Sequence, residues 1–306
     1  MSITNSGKSK LKGFLVSHEK FFIPDYQREY SWEKDEQVLD FFDDIKNLID
    51  NDLNQHFFGQ IVLHKDSEEK VFIIDGQQRV TTVMIFLAVI RDLLREIGEG
   101  DPAVERIIYN IKENFIGAYD DRFENIDNLK LILGENDKLY FKNNIQLSAP
   151  MNKGKTKSHE RIYKCYEFLK NKLREIFTED KEDNIKLLRE FYYKLTEKFE
   201  IIFVETDDLA EAFIIFETLN ARGKDLEISD LLKNYLFRES KNQIEIVKNN
   251  WMETSDNLGQ IDITNYLRHF WNSRYPFTRE KYLFRKITKK LHKSRDVVEF
   301  SKKFLE

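Results

Sequence analysis

Val71-Phe72-Ile73-Ile74-Asp75-Gly76-Gln77-Gln78-Arg79-Val80-Thr81-Thr82 is the stretch on which the fold of this chain turns. Its first four residues form an apolar run of the length of a short buried strand. The run stops at Asp75-Gly76, and a helical period begins at once, with Val80, Val83, Met84, Leu87, Ile90 and Leu94 on one face. A glycine at such a turn admits positive φ or the close approach of a ligand. The helix start that follows offers free N–H groups and the positive end of the dipole. Arg79 adds a planar five-donor fork, and Thr81 and Thr82 add hydroxyls. Together these groups predict an anion site, in the first instance for phosphate. The plain alternative is an Asp-Gly turn followed by an arginine that faces solvent, and on this stretch alone the two stand level.

Working outward, Phe21-Phe22-Ile23-Pro24 predicts a short strand ending in a turn that carries Asp25-Tyr26-Gln27-Arg28. Trp32 follows, then a helix from about Lys34 to Leu48 with Val38, Leu39, Phe42, Ile45 and Leu48 on its face. Phe57 to Leu63 predicts a second strand, joined to Val71–Ile74 as a hairpin through the polar His64 to Lys70. Helices are expected at Arg79–Ile97, Pro102–Ile116, His159–Phe177 and Glu182–Leu195. Leu129–Leu133 with Gly134-Glu135-Asn136-Asp137 predicts a small strand and turn, and Ala149–Ser158 an exposed loop. Ile201-Ile202-Phe203-Val204 returns as a strand, followed by a helix with Leu209, Ala212, Phe213, Phe216 and Leu219 on one face. That helix ends in Asn220-Ala221-Arg222-Gly223, with the glycine as cap, and Ser229 is placed to cap the next. The remainder to Glu306 is helical and rich in aromatics. The expected fold class is α+β: a small sheet assembled from both ends of a mostly helical chain, with a helical insertion between.

The 306 residues, 41% of them hydrophobic, can bury a substantial core. No window of about 18 apolar residues occurs and the first residues lack the pattern of a signal peptide, so no membrane association and a cytoplasmic location are expected. The single cysteine, Cys165, excludes an intramolecular disulfide and any multi-cysteine metal site, and its helical context predicts packing. The net charge of −5 is unevenly spread: Leu267 to Glu306 holds 12 Lys/Arg against 4 Asp/Glu, a net +8, which leaves −13 on the rest. A basic end on an acidic body is compatible with a nucleic-acid surface, although a solvated helix face is the simpler account of it.

Three polar clusters follow apolar elements: Tyr26-Gln27-Arg28, Asp75 to Arg79, and Asn220 to Gly223 with Asp230 and Lys233. Ends of strands and helices are where ligand-binding groups usually sit. Buried guanidinium groups need partners, so arginines converging on one edge imply an anion between them. In order along the chain stand Ile23-Pro24-x-Tyr26-Gln27-Arg28-x-Tyr30-x-Trp32, Phe57-Phe58-Gly59, Asp75-Gly76-Gln77-Gln78-Arg79-x-Thr81-Thr82, Phe216-x-x-Leu219-Asn220-x-Arg222-Gly223-x-x-Leu226 and Asp230-Leu231-x-Lys233. This series resembles the domain of unknown function 262, the N-terminal domain of GmrSD-type, modification-dependent (type IV) restriction enzymes and of related phage-defence proteins, including phosphorothioate-sensing ones. The resemblance runs from about Phe14 to Arg285.

The resemblance implies a ParB/sulfiredoxin-like mixed-sheet core made of residues 1–100 and 197–240, a helical insertion at 101–196, and a basic helical segment at 241–306. That segment would lead to a nuclease domain supplied further along the chain or by a partner subunit. Asp75, Gln77, Gln78 and Arg79 would be the catalytic set of a nucleoside-triphosphate hydrolase, with Asp75 holding Mg²⁺. Gly76, Arg79, Thr81, Thr82, Asn220, Arg222, Gly223 and Lys233 would bind the nucleotide. Tyr26, Gln27, Arg28, Tyr30 and Trp32 would sense the modification on DNA, from phage or bearing phosphorothioate, and a homodimer is compatible with all of this. The family's nuclease chemistry resides in a His-Asn-His domain, a constellation this chain lacks; His269 and Asn272 lie in an aromatic-rich helical stretch. DNA cleavage is therefore expected of a partner domain.

Other chemistries fit less well. Gly154-Lys155-Thr156 has no glycine five residues earlier and no strand before it, which excludes a P-loop. Sulfiredoxin chemistry needs a cysteine at the phosphate turn, and a metal hydrolase needs paired histidines; His56 and His64 merely flank a strand. Two alternatives remain: a non-catalytic reader, with Tyr26, Tyr30 and Trp32 as stacking walls for a flipped base, and a ParB-like DNA clamp switched by nucleotide.

Overall fold

The computed structural model describes residues 3–119, 127–220, 228–259, 261–291 and 293–305. The strands are β1 (Ile3–Lys10), β2 (Phe21–Phe22), β3 (His56–Lys65), β4 (Val71–Asp75), β5 (Gly117–Tyr119), β6 (Asp127–Leu129), β7 (Leu131–Ile132) and β8 (Phe199–Thr206). The α-helices are α1 (Leu11–Ser17), α2 (Gln37–Asp50), α3 (Gln77–Ile97), α4 (Pro102–Ile111), α5 (Glu135–Phe141), α6 (Lys157–Glu175), α7 (Lys181–Lys198), α8 (Leu209–Asn220), α9 (Ile228–Ser240), α10 (Ile244–Leu258), α11 (Ile263–Arg274), α12 (Glu280–Lys290) and α13 (Ser294–Leu305). The chain folds into two compact units, Asn5–Glu205 and Thr206–Glu306 with Met1–Thr4.

The architecture is α+β, around a six-stranded mixed sheet in the order β1-β8-β3-β4-β2-β7. Strands β3 and β4 form the expected antiparallel hairpin, with a register irregularity between Val62 and Leu63. Strand β2 runs parallel to both β4 and β7. The return of β8 beside β3 brings the far part of the chain back into the sheet.

Helix α3 is the spine of the first unit. The period in its sequence predicts one apolar face, yet every residue from Val80 to Arg91 is buried. A helix buried on all sides packs on more than one layer, and α3 lies against α4, α6 and α7 as well as the sheet side of the core. Phe86 meets Phe41, Phe42 and Phe191 at 5.7, 6.3 and 6.0 Å between ring centroids, in edge-to-face geometry. Arg91, fully buried within α3, donates to the carbonyls of Ile145 and Gln146 at 2.9 Å each and pairs with Asp92. Its charge is thereby held inside the fold.

In the second unit α10, α11, α12 and α13 gather on α9 around Leu236, Phe237, Trp251, Phe270 and Phe304. None of the described helices is long and apolar enough to cross a membrane. Two local expectations fail. Residues Glu135-Asn136-Asp137 open α5 instead of forming a turn, because the Asp25 carboxylate accepts from the Glu135 N–H at 2.9 Å and starts the helix. Ser229 lies within α9 as described, not ahead of it, and its hydroxyl accepts from Thr264 at 2.9 Å.

Candidate functional site at the strand–helix turn

Gly76 makes the junction between β4 and α3. Its φ of 92° lies in the left-handed region, and a Cβ there would stand 2.9 Å from Ile61 Cγ1 and 3.2 Å from the Gln60 carbonyl oxygen. Both reasons for a glycine therefore apply at once. As the N-cap residue, Gly76 has no side chain with which to cap α3. The amide groups of its first turn carry the positive end of a 21-residue helix dipole.

The loop carrying Tyr26-Gln27-Arg28 lies directly against this turn. Gln27 Nε2 donates to the Ile74 carbonyl at 3.0 Å. Gln77 Nε2 donates to the Arg28 carbonyl at 3.3 Å and Gln78 Nε2 to the Glu29 carbonyl at 3.1 Å. Gln78 Oε1 in turn accepts from the Ser31 N–H at 2.8 Å. Both amide ends of Gln78 are thus engaged by the loop. The Tyr30 hydroxyl shares a 2.8 Å hydrogen bond with Thr82 Oγ1 and donates to Cys165 Sγ at 3.3 Å. Two sequence clusters separated by some fifty residues form one hydrogen-bonded assembly.

Arg79 sits at its edge. Its Nη2 donates to the Gln60 carbonyl at 2.5 Å and lies 3.5 Å from Asp75 Oδ2. Its guanidinium covers Gly59, where a Cβ would come within 3.3 Å of Nε. Among the described residues Arg79 Nε and Gln77 Oε1 are buried without a hydrogen-bond partner. One donor and one acceptor, two residues apart, are therefore left unused in the first turn of α3. Leaving such groups unpaired costs roughly 1–3 kcal/mol each, which a ligand that satisfies them would recover.

The remaining expected site residues divide. Thr81 and Thr82 are buried, and the Thr82 hydroxyl, besides its bond with Tyr30, donates to the Gln78 carbonyl at 2.9 Å. Tyr30 is 3% exposed and Trp32 packs against the hydrophobic core, whereas Tyr26 and Gln27 are half-buried and Arg28 is exposed. Of the third cluster, Arg222 and Gly223 lie outside the described residues, and Lys233 is buried in the second unit. No group of three or more His, Cys, Asp or Glu that could hold a metal occurs among the described residues. Asp75, with its side chain 16% exposed, could supply a single carboxylate to a cation that a phosphate chain ligates on its other sides.

Behind the loop is a buried acid that the sequence reading did not single out. Asp137 accepts from the Tyr30 N–H at 3.4 Å and the Ser158 hydroxyl at 2.5 Å, while its Oδ1 has no hydrogen-bond partner among the described residues. Burial pushes the Asp137 carboxyl above the usual carboxylate range. Glu29 is raised as well, by burial first and then by Asp137, against the Asn136 side chain, which donates to it at 2.9 Å. Burial also raises the Cys165 thiol to about 12, so it is a packed group and no nucleophile. Gly59 and Gln60, which seat Arg79, went unassigned too. The signal was there: a glycine inside a strand pattern marks a close approach of another group. His56 and His64 are structural, against Asp44 at 3.3 Å and the Phe72 ring.

Against known proteins, the model of the family described as GmrSD restriction endonuclease, N-terminal domain, matches residues 11–237. No curated protein matches the chain. The matched residues include both clusters of the turn and most of α9.

Proposed function

Because the chain belongs to the family of GmrSD restriction endonuclease N-terminal domains, we propose that it is the nucleotide-hydrolysing, DNA-modification-sensing part of a phage-defence restriction system. The observation that carries this reading is that the first turn of α3 holds an unused donor, Arg79 Nε, and an unused acceptor, Gln77 Oε1. A nucleoside triphosphate offers what both lack. Its phosphate oxygens accept from Arg79 and the first-turn amides, and a hydroxyl or attacking water donates to Gln77.

In this reading Arg79 orients the phosphate chain and Gln77 positions the water whose oxygen forms the new bond to the terminal phosphorus as the bridging P–O bond breaks. Asp75 would hold Mg²⁺, which would supply positive charge to the phosphate oxygens. Gln78 touches no substrate. It is a positioning residue that ties the 28–31 loop to α3, so occupancy of the turn and the setting of Tyr26, Gln27 and Arg28 are coupled through it. Those three residues, half-buried or exposed, are the part that senses modified DNA, with cleavage by a nuclease domain in cis or in a partner subunit.

The engagement of Arg79 by Gln60 and Asp75 favours weighing a second reading, a pocket that binds modified DNA without hydrolysis. Phosphate release from nucleoside triphosphates, measured with and without modified DNA, separates the two. Release that rises with modified DNA and is lost in Asp75→Asn is expected. Binding of modified DNA with no release under any condition would leave the reader and remove the hydrolase.

A further inference from the structure

The segment joining α11 to α12, Tyr275-Pro276-Phe277-Thr278-Arg279, lies beyond the matched family region and presents the most exposed large apolar side chain of the described residues. Phe277 is 79% exposed, although the next residue, Thr278, is buried and hydrogen-bonded. The Thr278 N–H donates to Asn272 Oδ1 at 2.8 Å, Asn272 Nδ2 donates back to the Thr278 carbonyl at 3.3 Å, and Trp271 Nε1 donates to the Thr278 hydroxyl at 3.2 Å. The same hydroxyl donates to the Pro276 carbonyl at 3.0 Å. On the other side of Phe277 the Tyr275 N–H donates to the Trp271 carbonyl at 2.9 Å, so the loop is tied to α11 both before and after the exposed ring. Exposing a whole ring from an ordered loop loses burial that a smaller or polar residue would not forgo.

The surroundings of this ring are cationic. Arg274 and Arg279, both exposed, stand three residues before and two after it. Arg274 lies over the Phe270 ring at 4.3 Å, and Lys290 lies over the Tyr275 ring at 4.6 Å. In α12, Leu283 and Ile287 face inward, while Tyr282, Arg285, Lys286 and Lys289 fall on the opposite, exposed face at helical spacing. The acidic residue nearest in sequence, Glu280, is 3.6 Å from Arg268 and already partnered. A rigid aromatic face set among arginines and lysines suits a ligand that is polyanionic along its backbone and flat and apolar at its side groups. Unpaired DNA has that chemistry.

We propose that Phe277 is a stacking platform for an unpaired nucleobase, on a surface of α11, α12 and their connecting loop that holds single-stranded or locally opened DNA. The proposal deepens the DNA-sensing reading, on which it rests, by naming where unpaired strand is held in the second unit. Phosphate contacts come from Arg274, Arg279 and the α12 stripe, and Asn272 and Trp271 act as positioning residues for the ring. A stacked ring adds affinity without a phosphate contact, so its loss and the loss of a lysine have different signatures.

The test uses the full chain and one oligonucleotide, single-stranded and as its duplex, with affinity read by fluorescence anisotropy across a salt series. Phe277→Ala is expected to weaken single-stranded binding about tenfold, with the salt slope unchanged and the duplex affected less. Phe277→Trp is expected to keep the affinity and Phe277→Leu to behave as the alanine variant, since leucine is apolar but has no π-face. Lys289→Glu with Lys290→Glu is expected to flatten the salt slope for both DNAs. Native affinity in Phe277→Ala, while the lysine variant still responds, overturns the platform and leaves DNA binding standing. Native affinity in Phe277→Leu overturns it as well, and points to a protein partner on this face. If the native protein binds neither DNA, the DNA reading falls along with it, and nucleotide hydrolysis is judged separately by phosphate release.

Discussion

Truncating Arg79 to alanine removes a bond to the Gln60 carbonyl, a partner of Asp75 and the cover over Gly59 in one step. The variant should bind nucleotide more weakly by roughly 1.5–3 kcal/mol, the range for a hydrogen bond to a charged group, and titration calorimetry on a protein shown to be folded checks this. Gly59→Ala attacks the same place from the other side. Its φ of 120° is unfavourable for a side chain and the new Cβ would press on the guanidinium, so a loss of about 1–3 kcal/mol in denaturant unfolding is expected. Asp137 gives a pH signature. A carboxyl whose pKa is raised on folding contributes stability that is fully present below its unfolded value, near 3.8, and lost as pH rises through the folded value. The contribution of Asp137 to the unfolding midpoint should therefore fall as pH rises from about 4 towards neutrality. Asp137→Asn should flatten that fall, and an unchanged pH profile would show that the buried carboxyl is not its source.

Among the elements, those with apolar periodicity were legible in the sequence and those without were not. The β3–β4 hairpin, α2, α3, α6, α7 and β8 all stand within a few residues of where the pattern of Val, Ile, Leu and Phe puts them. Strand β1, Ile3-Thr4-Asn5-Ser6-Gly7-Lys8-Ser9-Lys10, was invisible because it is polar and exposed along nearly its whole length, held by strand pairing and by contacts such as Lys8 with Glu200 at 2.5 Å. Of the candidate site, the glycine turn could be read, since Asp-Gly between two apolar patterns has few other uses. What could not be read is where each glutamine points: that Gln78 turns both amide groups onto the 28–31 loop follows from tertiary placement alone. Tyr30 was offered as a stacking wall on composition, and it is buried because its hydroxyl finds Thr82 and Cys165. Tyr30→Phe should cost about 1 kcal/mol, as Thr82 keeps its bond to the Gln78 carbonyl, and thermal unfolding measures it.

Over the whole molecule, charge and function are distributed unequally between the units. The turn at Gly76 and its loop belong to Asn5–Glu205, whereas the stretch from Leu267 onward, with its net +8, belongs to the other unit. Phosphate contacts carry no information about modification, so charge reversal in α12 should weaken modified and unmodified DNA alike, while changes at Tyr26 or Gln27 should abolish the difference between them. A salt series on both duplexes distinguishes these outcomes. The central claim concerns the turn itself, and its most direct measurement is calorimetric titration of a non-hydrolysable nucleoside triphosphate into the native chain and into Gln77→Met. That substitution keeps the length of the side chain and deletes the unpartnered acceptor, together with the donor to the Arg28 carbonyl. Saturable binding to the native protein, weakened about three- to tenfold in a folded variant, is the predicted result. Equal affinity in both proteins, or no binding to the native chain, would contradict a nucleotide at this turn.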